Sequence, residues 1–330
     1  MAPTLSDLRL EAQDGGLLVT WSVSGGPAAA AVGAGPTPVA PDHVPLANVP
    51  AGTTEVMLEG AGRDGRRYVS VALEGGRDVV VAGERRLAFE GPTNFRDLGG
   101  YPVAGGGRTR WGRVYRSDAL HRFTQADLGA FRRLGTRCVY DLRGDAERSA
   151  SPDPVESVHI ALLDWYTGSE AKDLFRVRTA RDAESILRDM YVGMLDNAAP
   201  ALGELLSRLG DEDLLPAVLH CAGGKDRTGL SAAVLLDVLG VDRVTVLDDY
   251  ELTGRFRTAD HEPLLMRLLS SAGLPDEAAR AFLGSPRWAM SEALEHLERS
   301  YGGAEPYLLG PAGMAPDRLA ALGELLVVKA

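Results

Sequence analysis

The chain has 330 residues, 45% hydrophobic and 25% charged, a balance that excludes global disorder and leaves ample apolar sequence for a sizeable core. Its formal net charge of −11 argues against general affinity for nucleic acid or anionic lipid, so any phosphate it binds must meet local positive charge. The opening residues lack the basic and apolar segments of a secretory leader, no apolar run approaches membrane-spanning length, and Cys138 and Cys221 are too few for a disulfide framework; the expectation is a soluble, cytoplasmic protein with no membrane span and no nucleic-acid partner.

Residues 1–88 read as all-β. Leu17, Val19, Trp21 and Val23 alternate with Leu18, Thr20 and Ser22, as a half-buried strand requires, and Val69, Val71 and Leu73 repeat the pattern. The Gly/Ala/Pro-rich stretch from Gly25 to Pro50 and the Gly60 to Gly65 segment suit turns better than a long helix. Trp21 in an early strand and Tyr68 opening a late one resemble a fibronectin type III or other immunoglobulin-like sandwich. That resemblance implies a small N-terminal all-β sandwich domain, for which binding of a protein partner competes with a plain stabilising role.

Residues 89–330 change to helices alternating with short apolar strands, an α/β pattern. Thr124 is placed to cap a helix running to Leu134, Gly135 ends it, and Cys138 to Leu142 follow as a strand. Ala217, Val218, Leu219 and His220 read as a buried strand, followed by a glycine-rich turn and a helix from Thr228 to Leu239 that is apolar nearly all round and therefore buried. From Leu247 onward the chain reads as several helices with prolines near their boundaries.

The turn between that strand and helix carries the chemistry. It reads His220, Cys221, Ala222, Gly223, Gly224, Lys225, Asp226, Arg227, Thr228, Gly229. Small residues let successive N–H groups face one point and form an anion nest, the following helix adds its positive end, and the planar fork of Arg227 is suited to two oxygens of a phosphate. The same positive elements favour the thiolate of Cys221, a ready nucleophile under the phosphorus, with Thr228 positioned to hydrogen-bond the sulfur and His220 to orient the loop. Phosphate binding is thus assigned to Ala222, Gly223, Gly224, Lys225, Asp226 and Arg227. A lone cysteine is usually a small core residue and a glycine-rich turn usually only a turn, but here both occur with two cations after a buried strand. A nucleotide P-loop is set aside because Asp226, not Ser or Thr, follows Gly224-Lys225.

With these residues the chain resembles the protein tyrosine phosphatase superfamily, in particular its bacterial branch with an HCxxGKDRTG loop. Asn94 to Tyr101, Tyr115-Arg116-Ser117, Asp141-Leu142-Arg143 with Glu147, Tyr191, and Asp249 to Leu252 look like further signatures of that family in order. The resemblance implies a tyrosine phosphatase-like fold, with a central sheet flanked by helices. It also implies no metal and no organic cofactor, and substrates among phosphotyrosine, phosphoserine or phosphothreonine proteins and phosphoinositides. Gly224 after Gly223, where the family more often has Ala-Gly, suggests a looser loop, and Thr253-Gly254 departs from the family's late segment.

The general acid has three candidates: Asp226 in the loop, then Asp141, then Asp164. Asp141 also has a purely structural reading as the partner of Arg143, and Asp97 joins His220, Asp141 and Arg143 as a supporting residue. Lys172, Arg176, Arg178, Arg181 and Arg188 form a basic run, read as a solvated helix face in preference to a lid that attracts acidic substrates. Cys138 reads as core, and the six histidines lack ligand spacing, so no metal site is expected. The main reading is a protein tyrosine or dual-specificity phosphatase. A phosphoinositide or inositol-phosphate phosphatase, favoured by Lys225 beside the loop, is the second, and a catalytically weak phospho-ligand-binding module the third.

Overall fold

Strands before residue 88 and between residues 96 and 220 build two different kinds of sheet. The computed structural model describes residues 2–13, 16–59, 68–76, 78–162, 177–257, 262–271 and 273–329. In its first part, β1 (Thr4–Gln13), β2 (Gly16–Ser24) and β5 (Glu55–Glu59) form one antiparallel sheet. A second contains β3 (Ala30–Gly35), β4 (Val44–Val49), β6 (Tyr68–Leu73) and β7 (Val79–Gly83) in the order β4-β3-β6-β7. Leu17, Val19 and Trp21 of the first meet Val32, Val69 and Val71 of the second in one buried core, the inward faces of a sandwich. The stretch from Gly25 to Pro50 therefore holds two strands, because its small residues pack as well between neighbours as in turns. The Gly60 to Gly65 turn lies outside the described residues.

A third, five-stranded sheet is the scaffold of the site. Its strands are β8 (Arg96–Asp97), β10 (Val114–Ser117), β11 (Cys138–Asp141), β12 (Val158–His159) and β13 (Ala217–His220), in the order β12-β11-β13-β10-β8. All pairs are parallel except β8 with β10; the short β9 (Arg108–Thr109) lies outside this sheet and pairs with β14 (Val327–Val328). A parallel sheet must be covered on both faces, and the alternation shows how. Tyr115, Val139 and Val218 join Phe95, Phe123 and Phe131 on one side, beneath α1 (Gln125–Arg133). Val114, Cys138, Tyr140, Ala217 and Leu219 face the larger core on the other.

That larger core is filled by α3 (Ala180–Asn197), α4 (Ala199–Leu209), α5 (Arg227–Val238) and α6 (Arg243–Phe256), with α9 (Arg287–Tyr301), α10 (Ala304–Leu309) and α11 (Pro316–Leu326). The short α2 (Asp145–Ala150) follows β11, and α7 (Glu262–Ser271) and α8 (Asp276–Leu283) pack together near α3. Thr124 caps α1 through a capping box with Asp127, as its position predicts. The buried helix after the glycine-rich turn runs one residue earlier than expected at each end, over Arg227–Val238.

The two units meet closely. The phenol oxygen of Tyr68 lies 2.6 Å from where a Cβ of Gly112 would stand, at a backbone φ of +74°, so only glycine fits there. The connecting segment is stitched to the second unit, with Arg85 donating to the carbonyls of Asp97 and Gly99 at 2.7 Å each. Leu87 is buried with the aromatic cluster around Phe95.

Candidate active site

In an open parallel sheet the carboxyl ends of the strands form the natural binding edge. Register aligns Ser117, Asp141 and His220 along that edge, and Cys221 is the next residue, buried at 2% exposure. The chain then turns through residues 222–226 and enters α5, so the helix N-terminus points at the same place.

The loop is held from outside by its carbonyl groups. Ala222 accepts from the N–H of Ala119 at 3.2 Å, and Gly223 and Gly224 accept from Asn94 Nδ2 at 3.4 and 3.1 Å. Arg116 Nη2 donates to Gly224 at 2.8 Å. With these oxygens turned outward, no N–H from Ala222 to Arg227 donates to another group among the described residues. Such N–H groups need an acceptor when buried, and an anion supplies one. The two adjacent glycines are placed differently. Gly224 sits at φ +60° with Ser117 O only 2.5 Å from a notional Cβ, which makes glycine obligatory, whereas a Cβ at Gly223 would meet Arg257 Nη1 at an ordinary 3.4 Å.

Arg116 and Asn94 are in turn locked by a buried charge network. Asp249 of α6 accepts from Arg116 Nη1 at 2.6 Å, from Arg96 Nε at 3.0 Å and from the Tyr101 hydroxyl at 2.8 Å. Burial alone would raise the Asp249 carboxyl, but the two guanidinium groups hold it well below the usual carboxylate range. Arg96 also donates to Asn94 Oδ1, and to Thr253 Oγ1 at 3.2 Å, which gives the departing Thr253 a defined partner.

Arg227 is clamped by Glu147 of α2, which takes both terminal nitrogens, Nη2 at 2.9 Å. Burial works against the Arg227 charge, yet Glu147 and the neighbouring Cys221 sulfur raise its proton affinity above the ordinary value. For Glu147, burial opposes ionisation and Arg227 overcomes it, so its carboxyl lies below the usual range. Bidentate pairing fixes the plane of the guanidinium.

Asp226 presents two unlike oxygens. Oδ1 accepts from the Tyr191 hydroxyl at 2.7 Å and lies 3.4 Å from Lys225 Nζ, while Oδ2 has no protein partner among the described residues. Tyr191 donates to Asp226, so the 2.7 Å contact between Tyr191 and Tyr250 is donated by Tyr250. Lys225 is buried, and its ammonium bonds the Phe282 carbonyl at 2.5 Å, turned into the protein. Burial lowers its proton affinity, with Asp226 opposing and Arg257 adding to the effect.

The remaining predicted residues divide clearly. Thr228 Oγ1 is buried without a hydrogen-bond partner, so the expected bond to the Cys221 sulfur is not made. Asp141 is saturated: Arg143 donates to it from Nε at 2.9 Å, Nη2 at 2.8 Å and the backbone at 3.0 Å, and Arg148 at 3.2 Å. Asp97 receives the N–H groups of Gly99 and Gly112 at 2.7 Å each and orders the 97–112 segment, not the loop. His220 lies 3.2 Å from Asp153 and 3.8 Å from Asp141, but neither ring nitrogen is aligned for a hydrogen bond. These three side chains converge, yet Arg143 donates to both carboxylates, so the grouping is an ion-pair cluster.

Asp164, Lys172 and Arg176 lie outside the described residues. Arg181 pairs with Glu184 and stacks on Trp288, and Arg188 pairs with Asp189, as a solvated helix face does. Cys138 and Cys221 are free, and Cys138 is core. Arg96, Arg116 and Asp249, which fall in the family-like signatures, are the residues that brace the loop from behind. Their one local signal is a charged residue inside an otherwise buried run, and their partners are far away in the chain.

Residues 87–328, well over half the chain, match the sequence profile of the tyrosine phosphatase family. A Cupriavidus necator protein that carries the name tyrosine-protein phosphatase is 29% identical over 69% of this chain and 84% of its own length. The triple specificity protein phosphatase PtpB of Mycobacterium tuberculosis is 29% identical over 54% of this chain and 71% of its own. Among solved structures, TpbA of P. aeruginosa aligns with 22% identity and a TM-score of 0.23 over 55% of this chain and 87% of that one, too distant a likeness to add to the sequence match. The breadth of the profile match is sufficient by itself: this chain belongs to the tyrosine phosphatase family.

Proposed function

We propose that Cys221 is the nucleophile, Arg227 and the loop N–H groups the phosphoryl-binding elements, and Asp226 the general acid of a two-step phosphatase. The chain is a cysteine-dependent phosphatase of the protein tyrosine or dual-specificity type. In the first step the thiolate forms an S–P bond as the P–O ester bond breaks, and the departing oxygen takes the proton of Asp226. In the second, water attacks phosphorus, gives its proton to the Asp226 carboxylate, and the thiolate leaves with the S–P electrons. Thr228, whose buried hydroxyl has no other partner, is proposed to bond the sulfur as it departs. Lys225 supports the loop through Asp226, Arg143 orders the end of its strand with Asp141 as its counter-charge, and His220 packs beneath the loop.

The observation that carries this reading is the row of outward carbonyls at Ala222, Gly223 and Gly224, each held by a donor outside the loop, which leaves the N–H side for a tetrahedral anion. Replacing Cys221 with Ser tests it. Turnover of an aryl phosphate should vanish while binding of inorganic phosphate survives, because the nest and Arg227 remain. Retained turnover would overturn the assignment.

Phosphorylated protein is the preferred substrate class. The Mycobacterium relative is named for triple specificity, but here the lysine that favoured a polyanionic lipid headgroup is buried on the Phe282 carbonyl. A binding module without turnover is set aside because Cys221 and Arg227 are both in place. Seven strands divided three and four, with Trp21 in the shared core, support the fibronectin type III-like reading of residues 1–88, with a protein partner as its proposed role. Among the described residues no helix is long and apolar enough to cross a membrane. The two free cysteines support a reducing, cytoplasmic location.

A further inference from the structure

Among the described residues, the cations that brace the phosphate loop are each matched to an acid. Arg227 is held by Glu147, Arg96 and Arg116 by Asp249, Arg143 by Asp141, and Lys225 by Asp226. Arg257 is different. Its half-buried guanidinium lies against Gly223, with Nη1 3.4 Å and Cζ 3.6 Å from the position a Cβ would take there, and it has no ion-pair or hydrogen-bond partner among the described residues. Its charge is close enough to weaken the proton affinity of Lys225.

The placement of Arg257 is built into the fold. Its backbone N–H bonds Thr253 O at 2.9 Å, and Thr253 Oγ1 in turn accepts from Arg96 and Asn94, the residues that brace the loop. The stem of Arg257 is thus rooted in the network that holds the outward carbonyls of the phosphate loop. Gly223 adds the space: with no side chain at that position, the guanidinium can rest on the loop itself.

A free guanidinium fixed beside an anion-binding loop offers a second, planar, bidentate site for a carboxylate or phosphate. We infer that Arg257 reads a second anionic group on a phosphopeptide substrate, carried by a residue adjacent to the phosphorylated one. This rests on the phosphatase reading above and narrows its substrate class. The recognised group is either a glutamate or aspartate carboxylate or a second phosphate, and the guanidinium serves both with the same fork.

The test is a ratio, so that a general loss of activity does not count. The value of kcat/KM is measured for three phosphotyrosine peptides of one sequence, flanked by Glu, by Gln, or by phosphoserine, with wild type, Arg257→Gln and Arg257→Lys, and for an aryl phosphate as control. In the wild type the Glu and phosphoserine peptides should exceed the Gln peptide by about tenfold, the scale of one charge-assisted hydrogen bond at a half-buried site. Arg257→Gln should bring those ratios close to one, and Arg257→Lys should restore part of them. A larger ratio for phosphoserine than for Glu identifies a second phosphate as the group read, and the reverse identifies a carboxylate. Unchanged ratios in Arg257→Gln overturn the inference, as does a variant that lowers all three peptides equally, which would make Arg257 a support of the loop. An Arg257-dependent preference for inositol bisphosphate over monophosphate, with peptides indifferent to the mutation, also overturns it. Absence of aryl phosphate turnover in the wild type would instead defeat the phosphatase reading.

Discussion

Arg116 donates to the Gly224 carbonyl at 2.8 Å with one nitrogen and to Asp249 at 2.6 Å with another. One buried side chain thus connects the Cys221–Arg227 loop to a helix 25 residues along the chain from it, as counted from Gly224 to Asp249. The loop's shape depends on charge pairing behind it as much as on its own sequence.

Asp249→Asn should therefore cost about 3–5 kcal/mol at neutral pH, because two buried guanidinium groups lose their counter-charge. The pH dependence has a definite sign. The folded carboxyl lies below its unfolded value, so its contribution is complete above the unfolded value of about 4 and declines as pH falls below it towards the folded value. Chemical denaturation at pH 7 and pH 3 should show the gap between wild type and variant narrowing at pH 3. Should the variant fail to fold, Tyr101→Phe, which removes one donor to Asp249, should show a loss of about 1 kcal/mol at neutral pH. A gap that widens in acid would contradict the pairing.

The two glycines of the loop should respond unequally. Gly224→Ala places a methyl against Ser117 O at a positive φ, so the backbone has to move, with an expected cost of about 1–3 kcal/mol and a steep fall in kcat/KM. Gly223→Ala meets the flexible end of Arg257 and the Lys225 Cβ at ordinary contact distances and should retain far more activity. Comparable losses in both variants would mean that the conformation at Gly224 is not what the loop requires.

Leaving-group dependence separates the acids. With Oδ2 of Asp226 open and every approach to Asp141 taken by Arg143 and Arg148, Asp226→Asn should slow a poor leaving group by about 10²- to 10⁴-fold more than an activated aryl ester. Asp141→Asn should slow both alike, through loss of structure. The contrast appearing with Asp141 instead would transfer the role.

Truncation should expose where the second unit begins. A chain starting at Glu84 keeps the bonds of Arg85 to Asp97 and Gly99 and the burial of Leu87, whereas one starting at Glu90 loses all of them. Thermal melts should place the shorter chain lower by at least about 5 °C, given roughly 2–4 °C per kcal/mol for a unit of this size. Equal melting temperatures would show that the segment adds nothing.

Local sequence determined the Cys221–Arg227 loop, the strand before it and the helix after it, because apolar runs, glycines and a cysteine separated by five residues from an arginine act within a dozen residues. It also made Thr124 a cap and Trp21 a core residue, since capping and alternation are local rules. What it left open were the partners. Glu147 reaches Arg227 across 80 positions and Arg96 reaches Asp249 across 153. No spacing rule connects such residues, because the sheet order, not the chain, brings β8, β10 and β13 side by side. Asp141 shows the same division: its sequence position allowed either proton transfer or ion pairing, and only the folded arrangement surrounded it with guanidinium groups. Lys225 and Thr228 lie within the motif, but the directions of their side chains were set by Phe282 and by the packing under the loop, which belong to the tertiary structure alone.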